Sequence, residues 1–480
     1  MKKRILSMML SVMLLLLPVL SQADGFLEKA VELIQKGYEV TVTSQFIPGD
    51  GLISEIGDET TANALKELFD TASLSCSFQS TDDMYQFAGR LLLGGQEALE
   101  IIFGKNSNEL LLTTDLLGDD VYAISKDELK DLLAKADELS DQNRKAAETI
   151  IDAVFGNPCD GSEDEILKIT ENILEKLLTT VEENTEDTDG ETLLLDGRNT
   201  GKGILIRFPA AKVGELTADF VNQFMNIPQI RDFLTNLGYQ EGTQNELAGK
   251  ITGYIRRDPE VRFYLQDESV IAVIEAAIGP NDQKTVTLRM EEVIEAAGDD
   301  IAINGLTVIT NAAGEQMKSQ SRSVLTDKQV TTEETVTMTE NGKEKTLLTL
   351  DGNLAINSEG EYLGLYGTYT LRIPENEVTL RIDVSGNGHY AEDELNYDQT
   401  LAFAAAPDLS KPLITTTQNV RISLAEAYLT GEGALHPAKM TEKEQSEKMR
   451  EWQVSMTLKL ITLLPKLPES LQNMLFSYIQ

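Results

Sequence analysis

The chain has 480 residues and 41% are hydrophobic, enough to build a sizeable core, so it is not a disordered polymer. Its 79 acidic residues against 41 basic ones give a formal charge of −38. A polyanion of this size is repelled by nucleic acid and by anionic lipid surfaces, which excludes nucleic acid as a partner.

Met1-Lys2-Lys3-Arg4 is followed by a run from Ile5 to Leu20 with almost no polar residue. This is the charged and apolar pair of regions that opens a signal peptide. Pro18 ends the apolar helix, and Ser21 and Ala23 supply small residues for cleavage after Ala23. Residues 1–23 are therefore read as a signal peptide, and the mature chain as secreted or extracytoplasmic. The apolar run is shorter than the roughly 20 residues of a spanning helix, so the mature chain is expected to have no integral membrane segment.

Gly25 to Lys36 reads as a short amphipathic helix that leads into a strand. There Tyr38, Val40 and Val42 alternate with Glu39, Thr41 and Thr43. A short antiparallel meander follows from Ala72 to Ser125, with turns at Gly94-Gly95 and Lys105-Asn106. Ser125 and Glu128 form a capping box, with Leu129, Leu132, Leu133 and Ala136 behind it at helical spacing. A further helix is predicted over 143–155. Another opens at Ser162-Glu163-Asp164-Glu165, with Ile166, Ile169, Ile173, Leu174 and Leu177 on one stripe. The polar stretch Glu182–Gly190 marks a domain boundary between an α+β domain over 24–185 and a second over 190–435. Val121–Ser125 and Gly203–Arg207 are both strands that feed a helix, either a duplicated module or two instances of a common pattern. Helices are predicted over 211–225 and 227–237.

From Thr285 to Leu424 the chain reads as a long meander. Val286, Leu288 and Met290 alternate with polar neighbours, as do Val378, Leu380, Ile382 and Val384. Clean alternation belongs to antiparallel sheets with one wet face. Turns are placed at Asn341-Gly342, Ser358-Glu359-Gly360, Pro374-Glu375-Asn376 and Gly386-Asn387-Gly388. Residues 436–480 form an amphipathic helical tail carrying Trp452, Met456, Leu460, Leu463 and Leu464, and Pro465 and Pro468 follow within it. The fold class is α+β: large antiparallel meanders, helices covering one face, and a helical C-terminal tail.

Little catalytic chemistry is legible. His389 and His436 are too far apart for a helical zinc pair, no nucleophile elbow is present, and both histidines read as exposed loop residues. Gly201-Lys202-Gly203 is a turn rather than a phosphate loop. Thr185, Asp187, Asp189, Gly190 and Asp196 partly match a calcium loop but lack its first aspartate and its last glutamate, which favours a solvated linker. No catalytic residue, metal site or cofactor is assigned. Cys76 and Cys159 form one disulfide, or Cys76 is a buried free thiol beside Leu74 and Phe78.

The helix-to-strand opening (Phe26 to Phe46) and the strand-to-helix crossovers (Val121–Leu133, Ile204–Phe224) alternate with meanders. In layout this resembles the half-barrel lipid carriers of bacterial envelopes, the lipoprotein-localisation-factor type and its mycobacterial relatives. It also resembles exported proteins of Gram-positive bacteria built on the same plan. The resemblance spans 24–424 and is architectural, so it assigns no binding residue. It implies a non-enzymatic binder of an apolar or amphipathic, lipid-like ligand, with an internal apolar cavity of roughly several hundred Å³. The alternative is a cell-surface structural or interaction protein with a filled core. The two differ in whether the apolar strand faces are fully covered by helix.

Overall fold

The computed structural model describes residues 24–49, 53, 59–81, 84–136, 139–156, 163–238, 249–250, 252–266, 268–298, 300–424 and 429–473. The expected signal peptide, Ser162 and Cys159 lie outside the described residues. The chain divides into two compact units. Unit 1 comprises 1–137, 354–370 and 379–480; unit 2 comprises 138–353 and 371–378.

The first part of unit 1 holds helices α1 (Asp24–Gln35) and α2 (Glu59–Thr71) and strands β1 (Glu39–Pro48), β2 (Ala72–Ser80), β3 (Met84–Leu93), β4 (Gln96–Asn106), β5 (Glu109–Thr114) and β6 (Tyr122–Ser125), followed by α3 (Lys126–Ala134). Unit 2 carries α4 (Asp141–Phe155), α5 (Glu163–Glu183), β7 (Thr185–Thr188), β8 (Gly203–Arg207), α6 (Ala210–Asn226) and α7 (Pro228–Asn236). Its meander is β9 (Ile255–Gln266), β10 (Ser269–Ile278), β11 (Val286–Ala297), β12 (Asp300–Thr310), β13 (Gln316–Leu325) and β14 (Gln329–Glu340). The chain crosses the unit boundary within β15 (Lys343–Glu359) and β16 (Tyr362–Ile373). It then completes unit 1 with β17 (Val378–Tyr390), β18 (Glu394–Ala405), β19 (Pro412–Ser423) and α8 (Glu442–Leu463).

In unit 1 the strands pair in the order β6-β5-β4-β3-β2-β1-β19-β18-β17, each pair antiparallel. In unit 2 the order β7 through β14 follows the sequence, again antiparallel. The fold class read from alternation is the one observed, and the C-terminal segment is helical as expected. The unit 2 meander starts at Ile255, well before Thr285.

The local signals work where the chemistry is specific. Ser125 caps α3 through the Glu128 N–H, and the Glu128 carboxylate accepts the Ser125 N–H at 2.7 Å. Asn341 (φ 52°) and Gly342 (φ 72°) turn β14 into β15, in the left-handed region a tight hairpin requires. Gly386-Asn387-Gly388 is not a turn. It lies inside β17, paired to Gln399, Asp398 and Tyr397 of β18. These glycines clear space for rings: a Cβ on Gly386 would overlap the Tyr397 hydroxyl, and one on Gly388 would sit 2.8 Å from the Phe26 and Tyr397 rings. Glycine here serves close approach instead of chain reversal.

Helix α1 lies on this part of the sheet. Leu33 is fully buried against Leu395 and Ile422, with Phe26, Ala30, Val40 and Tyr390 around it. Phe26 meets Tyr390 and Tyr397 edge-on at 6.0 Å. In unit 2, Ile166, Ile169 and Ile173 of α5 pack on Phe224, Ile227, Ile230 and Leu234. Leu174 and Leu177, read on the same stripe, are exposed.

Candidate functional site

Register determines which side chains share a face, because directly opposed residues point the same way. In unit 1 one cross-strand row reads Leu395, Ile422, Val40, Phe78, Phe87, Phe103 and Leu112. The next row reads Tyr397, Val420, Val42, Cys76, Gly89, Ile101 and Thr114, and the one beyond contains Gln399, Gln418, Ser44, Leu74, Leu91 and Leu99. On β17 the same face carries Leu380, Ile382, Val384 and Tyr390. No paired position on this face is an Asp or Glu, although about one residue in six of the chain is acidic. Among the described paired positions its one charged side chain is Lys105, opposite Tyr85.

The opposite face is polar, and in β2 and β3 it is the buried one. Ser75, Ser77, Gln79 and Gln86 are all under 9% exposed. Thr43 Oγ1 donates to Ser75 Oγ (3.1 Å), and Gln79 Nε2 donates to the Gly37 carbonyl (2.9 Å). The Leu429 N–H donates to Gln86 Oε1 at 2.7 Å. Meanwhile Phe78, Phe87 and Phe103 stand 45%, 43% and 47% exposed, and Leu74 and Tyr85 about half. The usual polarity of a half-wet sheet is reversed. A molecule covering the three phenylalanine rings would bury roughly 250–300 Å² of apolar surface, at most about 7 kcal/mol before the cost of association.

This apolar surface is an open strand face, so the enclosed cavity expected from the sequence takes another form. Among the described residues, one surface depression of about 410 Å³ runs along the polar side of α5 at Lys168 and Glu175, and another of about 550 Å³ lies at Asp70, Leu93 and Lys466. Neither is an apolar cavity. Helix α1 covers the face at Leu395, Ile422 and Val40, while Leu74, Phe78, Phe87 and Phe103 on β2–β4 stand exposed.

Cys76 is a free thiol, exposed on the apolar face between Val42 and Gly89, and neither disulfide-bonded nor buried. The sequence placed it on the correct face but took that face for the interior. His389 is exposed as expected but stands on β17, stacked on Tyr362 at 6.2 Å. His436 is not a free loop residue. Its Nδ1 lies 3.0 Å from Glu128 Oε2 and its Nε2 3.7 Å from Glu109. Burial raises the Glu128 pKa, but the Ser125 N–H, His436 and Lys439 outweigh it and hold the group at about 2.

Unit 2 has a built ionic cluster that sequence reading missed. Glu260, Arg262, Glu275, Arg289 and Glu291 share one face of β9–β11. Segment 189–200 lies over it, with Leu193 packed on Tyr264, Ile271, Val273 and Val293. Glu191 accepts from the Tyr264 hydroxyl (2.7 Å), Arg289 (2.7 Å) and Arg262 (3.2 Å). Burial raises the Glu191, Glu260 and Glu275 pKa values, yet the hydrogen bonds and charges of Arg207, Arg262, Arg289 and Tyr264 bring each below the usual carboxylate value. Burial and Glu191 push Tyr264 up to about 12. Reciprocal pairing of this kind pins a loop to a sheet. The only sequence signal was charge at strand positions that alternation assigns to one face. Of the calcium-loop residues, Asp187 lies on β7 and Asp196 is ion-paired to Arg198 at 2.6 Å. Among the described residues no group of His, Cys, Asp and Glu is arranged to hold a metal ion.

No protein-family model matches the chain, and no curated protein matches it in sequence. Among solved structures it is similar to an anion-selective porin from Comamonas acidovorans, with 8% identity over 81% of this chain and 98% of the porin and a TM-score of 0.30. It is also similar to Pseudomonas aeruginosa OpdK with vanillate (7% identity, 81% and 98% covered, TM-score 0.27). OmpT, an outer membrane protein of Vibrio cholerae, matches with 7% identity, 80% and 96% covered and a TM-score of 0.23. TM-scores this low do not establish a shared fold, so these likenesses assign neither architecture nor activity to the chain.

Proposed function

We propose that the protein is an exported, non-enzymatic carrier or binder of an apolar or amphipathic, lipid-like ligand, which lies on the apolar face of the unit 1 sheet. The observation that supports this is the carboxylate-free face with Phe78, Phe87 and Phe103 exposed in one cross-strand row. A soluble polyanion has no folding reason to keep such a row wet. Cys76 provides a native probe two residues from Phe78 on the same face. In a Cys159→Ser background, palmitate or a phospholipid should slow maleimide labelling of Cys76. Phe78→Ser/Phe87→Ser/Phe103→Ser should abolish both the protection and Nile red binding while leaving the circular dichroism spectrum intact. A ligand-free solvent extract of the natively purified protein, with no protection of Cys76 by any added lipid, would sink the proposal.

A second reading, docking of a protein partner, draws on α8. Met449, Val454, Leu458, Leu460 and Ile461 are 55–60% exposed there, spread around the helix rather than along one stripe. It predicts that α8 substitutions, and not the phenylalanine row, abolish the biological effect.

A further inference from the structure

Among the described residues, the paired positions of the apolar face of unit 1 are uncharged except at one end. There Lys105 pairs across β3–β4 with Tyr85 and across β4–β5 with Leu110. Its Nζ lies 5.3 Å from the Tyr85 ring centroid, a cation–π distance. Among the described residues no paired position of the face beside it is a carboxylate, in a chain with almost two acidic residues for each basic one. An ammonium beside an aromatic ring, with no carboxylate at the paired positions next to it, is a place where an anionic group is stabilised.

Along the strands from Lys105 the same face passes Phe87 and Phe103, then Gly89, Cys76 and Ile101, then Leu91, Leu74 and Leu99. Three steps of two residues span about 20 Å, the extended length of an acyl chain of about sixteen carbons. Gly89 lowers the surface in the middle of this path. Its missing side chain leaves Ile101 Cγ2 3.5 Å and Phe87 Cε1 3.8 Å from where a Cβ would stand.

We infer that the ligand of this face is a single-chain anionic amphiphile, of the long-chain fatty acid class. Its head pairs with Lys105, and its chain lies along the Phe87–Gly89–Leu91 path. The inference rests on the proposed lipid-binding role and specifies its head and chain. Tyr85 holds the ammonium at the end of the path. The acidic remainder of the chain disfavours anions at long range, so selectivity is local and short-ranged.

The test is calorimetric titration of the full mature chain with palmitate, hexadecanol and hexadecylammonium, each below its aggregation concentration. Palmitate should bind about tenfold more tightly than hexadecanol, and Lys105→Met should remove that difference while leaving hexadecanol unchanged. Across saturated fatty acids, affinity should rise with length and level off near sixteen carbons. The head-group series on the unmodified protein decides the matter even if Lys105→Met fails to fold. Equal binding of palmitate and hexadecanol, or an unaltered preference in Lys105→Met, overturns the inference but leaves the lipid-binding role standing. Failure of all three probes to bind overturns both.

Discussion

Glu291 offers the sharpest test of the energetics. It is 1% exposed. Its Oε1 accepts the Leu194 N–H at 3.0 Å and Arg289 Nε at 2.7 Å, and its Oε2 accepts the Leu195 N–H at 2.7 Å. Glu291→Gln keeps the volume but has one acceptor oxygen, so its amide group must point at a donor. Whichever way it turns, at least one charge-assisted bond to a buried N–H is lost, a loss of about 1.5–3 kcal/mol. Arg289 keeps Glu191 and Glu275, so the change stays below the about 3–5 kcal/mol of an orphaned buried charge. A net destabilisation of about 2–3 kcal/mol is expected. Amide hydrogen exchange at Leu194 and Leu195 reads it directly, and should accelerate by roughly 30- to 150-fold if opening is at equilibrium. The urea midpoint of unit 2 should fall in parallel. Exchange unchanged within about threefold would refute Glu291 as an anchor of segment 189–200 and leave that role to Glu191, Arg198 and Leu193.

Acidification should destabilise the fold. Glu128, Glu191, Glu260 and Glu275 all have folded-state pKa values below the ordinary one, so their contribution is complete above about pH 4.5 and is lost as pH falls through the folded values. For Glu128 the window closes near pH 2, and thermal melts of Glu128→Gln should lose that part of the acid slope. Gly388→Ala places a methyl 2.8 Å from Phe26 and should loosen α1 by about 1–3 kcal/mol, seen as faster exchange in α1. The Trp452 indole N–H donates to the Tyr122 hydroxyl at 2.6 Å. Trp452→Phe should therefore loosen α8 at a cost of about 1 kcal/mol, measured by limited proteolysis after Leu424.

Alternation along Val286–Met290 and Val378–Val384 was enough to read antiparallel meanders, because the period of two survives whichever side is buried. Which side is wet is not encoded in that period, and this is why an unbonded Cys76 is expected to be buried. The face of Leu74, Cys76 and Phe78 looks like a core face, and only the segment reaching Gln86 through Leu429 shows that the serine side is covered instead. The glycines of β17 misled for a related reason. Gly386 and Gly388 are needed by Tyr397 and Phe26, one of which lies more than 350 residues away in sequence. The unit 2 cluster was invisible because Glu191, Tyr264 and Arg289 meet only through the fold.

The reversal in β2 and β3 has an energetic consequence that separates folding from binding. Buried Ser75, Gln79 and Gln86 each have a partner, at little net gain, about 1 kcal/mol for a typical hydrogen bond. Each phenylalanine of the row is only partly covered in the folded state, 43–47% exposed, and leaves that remainder for a ligand. Truncating one of these rings should therefore cost less than truncating fully buried Leu33, which should cost about 2–5 kcal/mol. A sheet selected only to fold and stay soluble would carry some of its many carboxylates where Phe78, Phe87 and Phe103 stand. Their absence from the described positions of this face is the observation on which the proposed apolar contact rests.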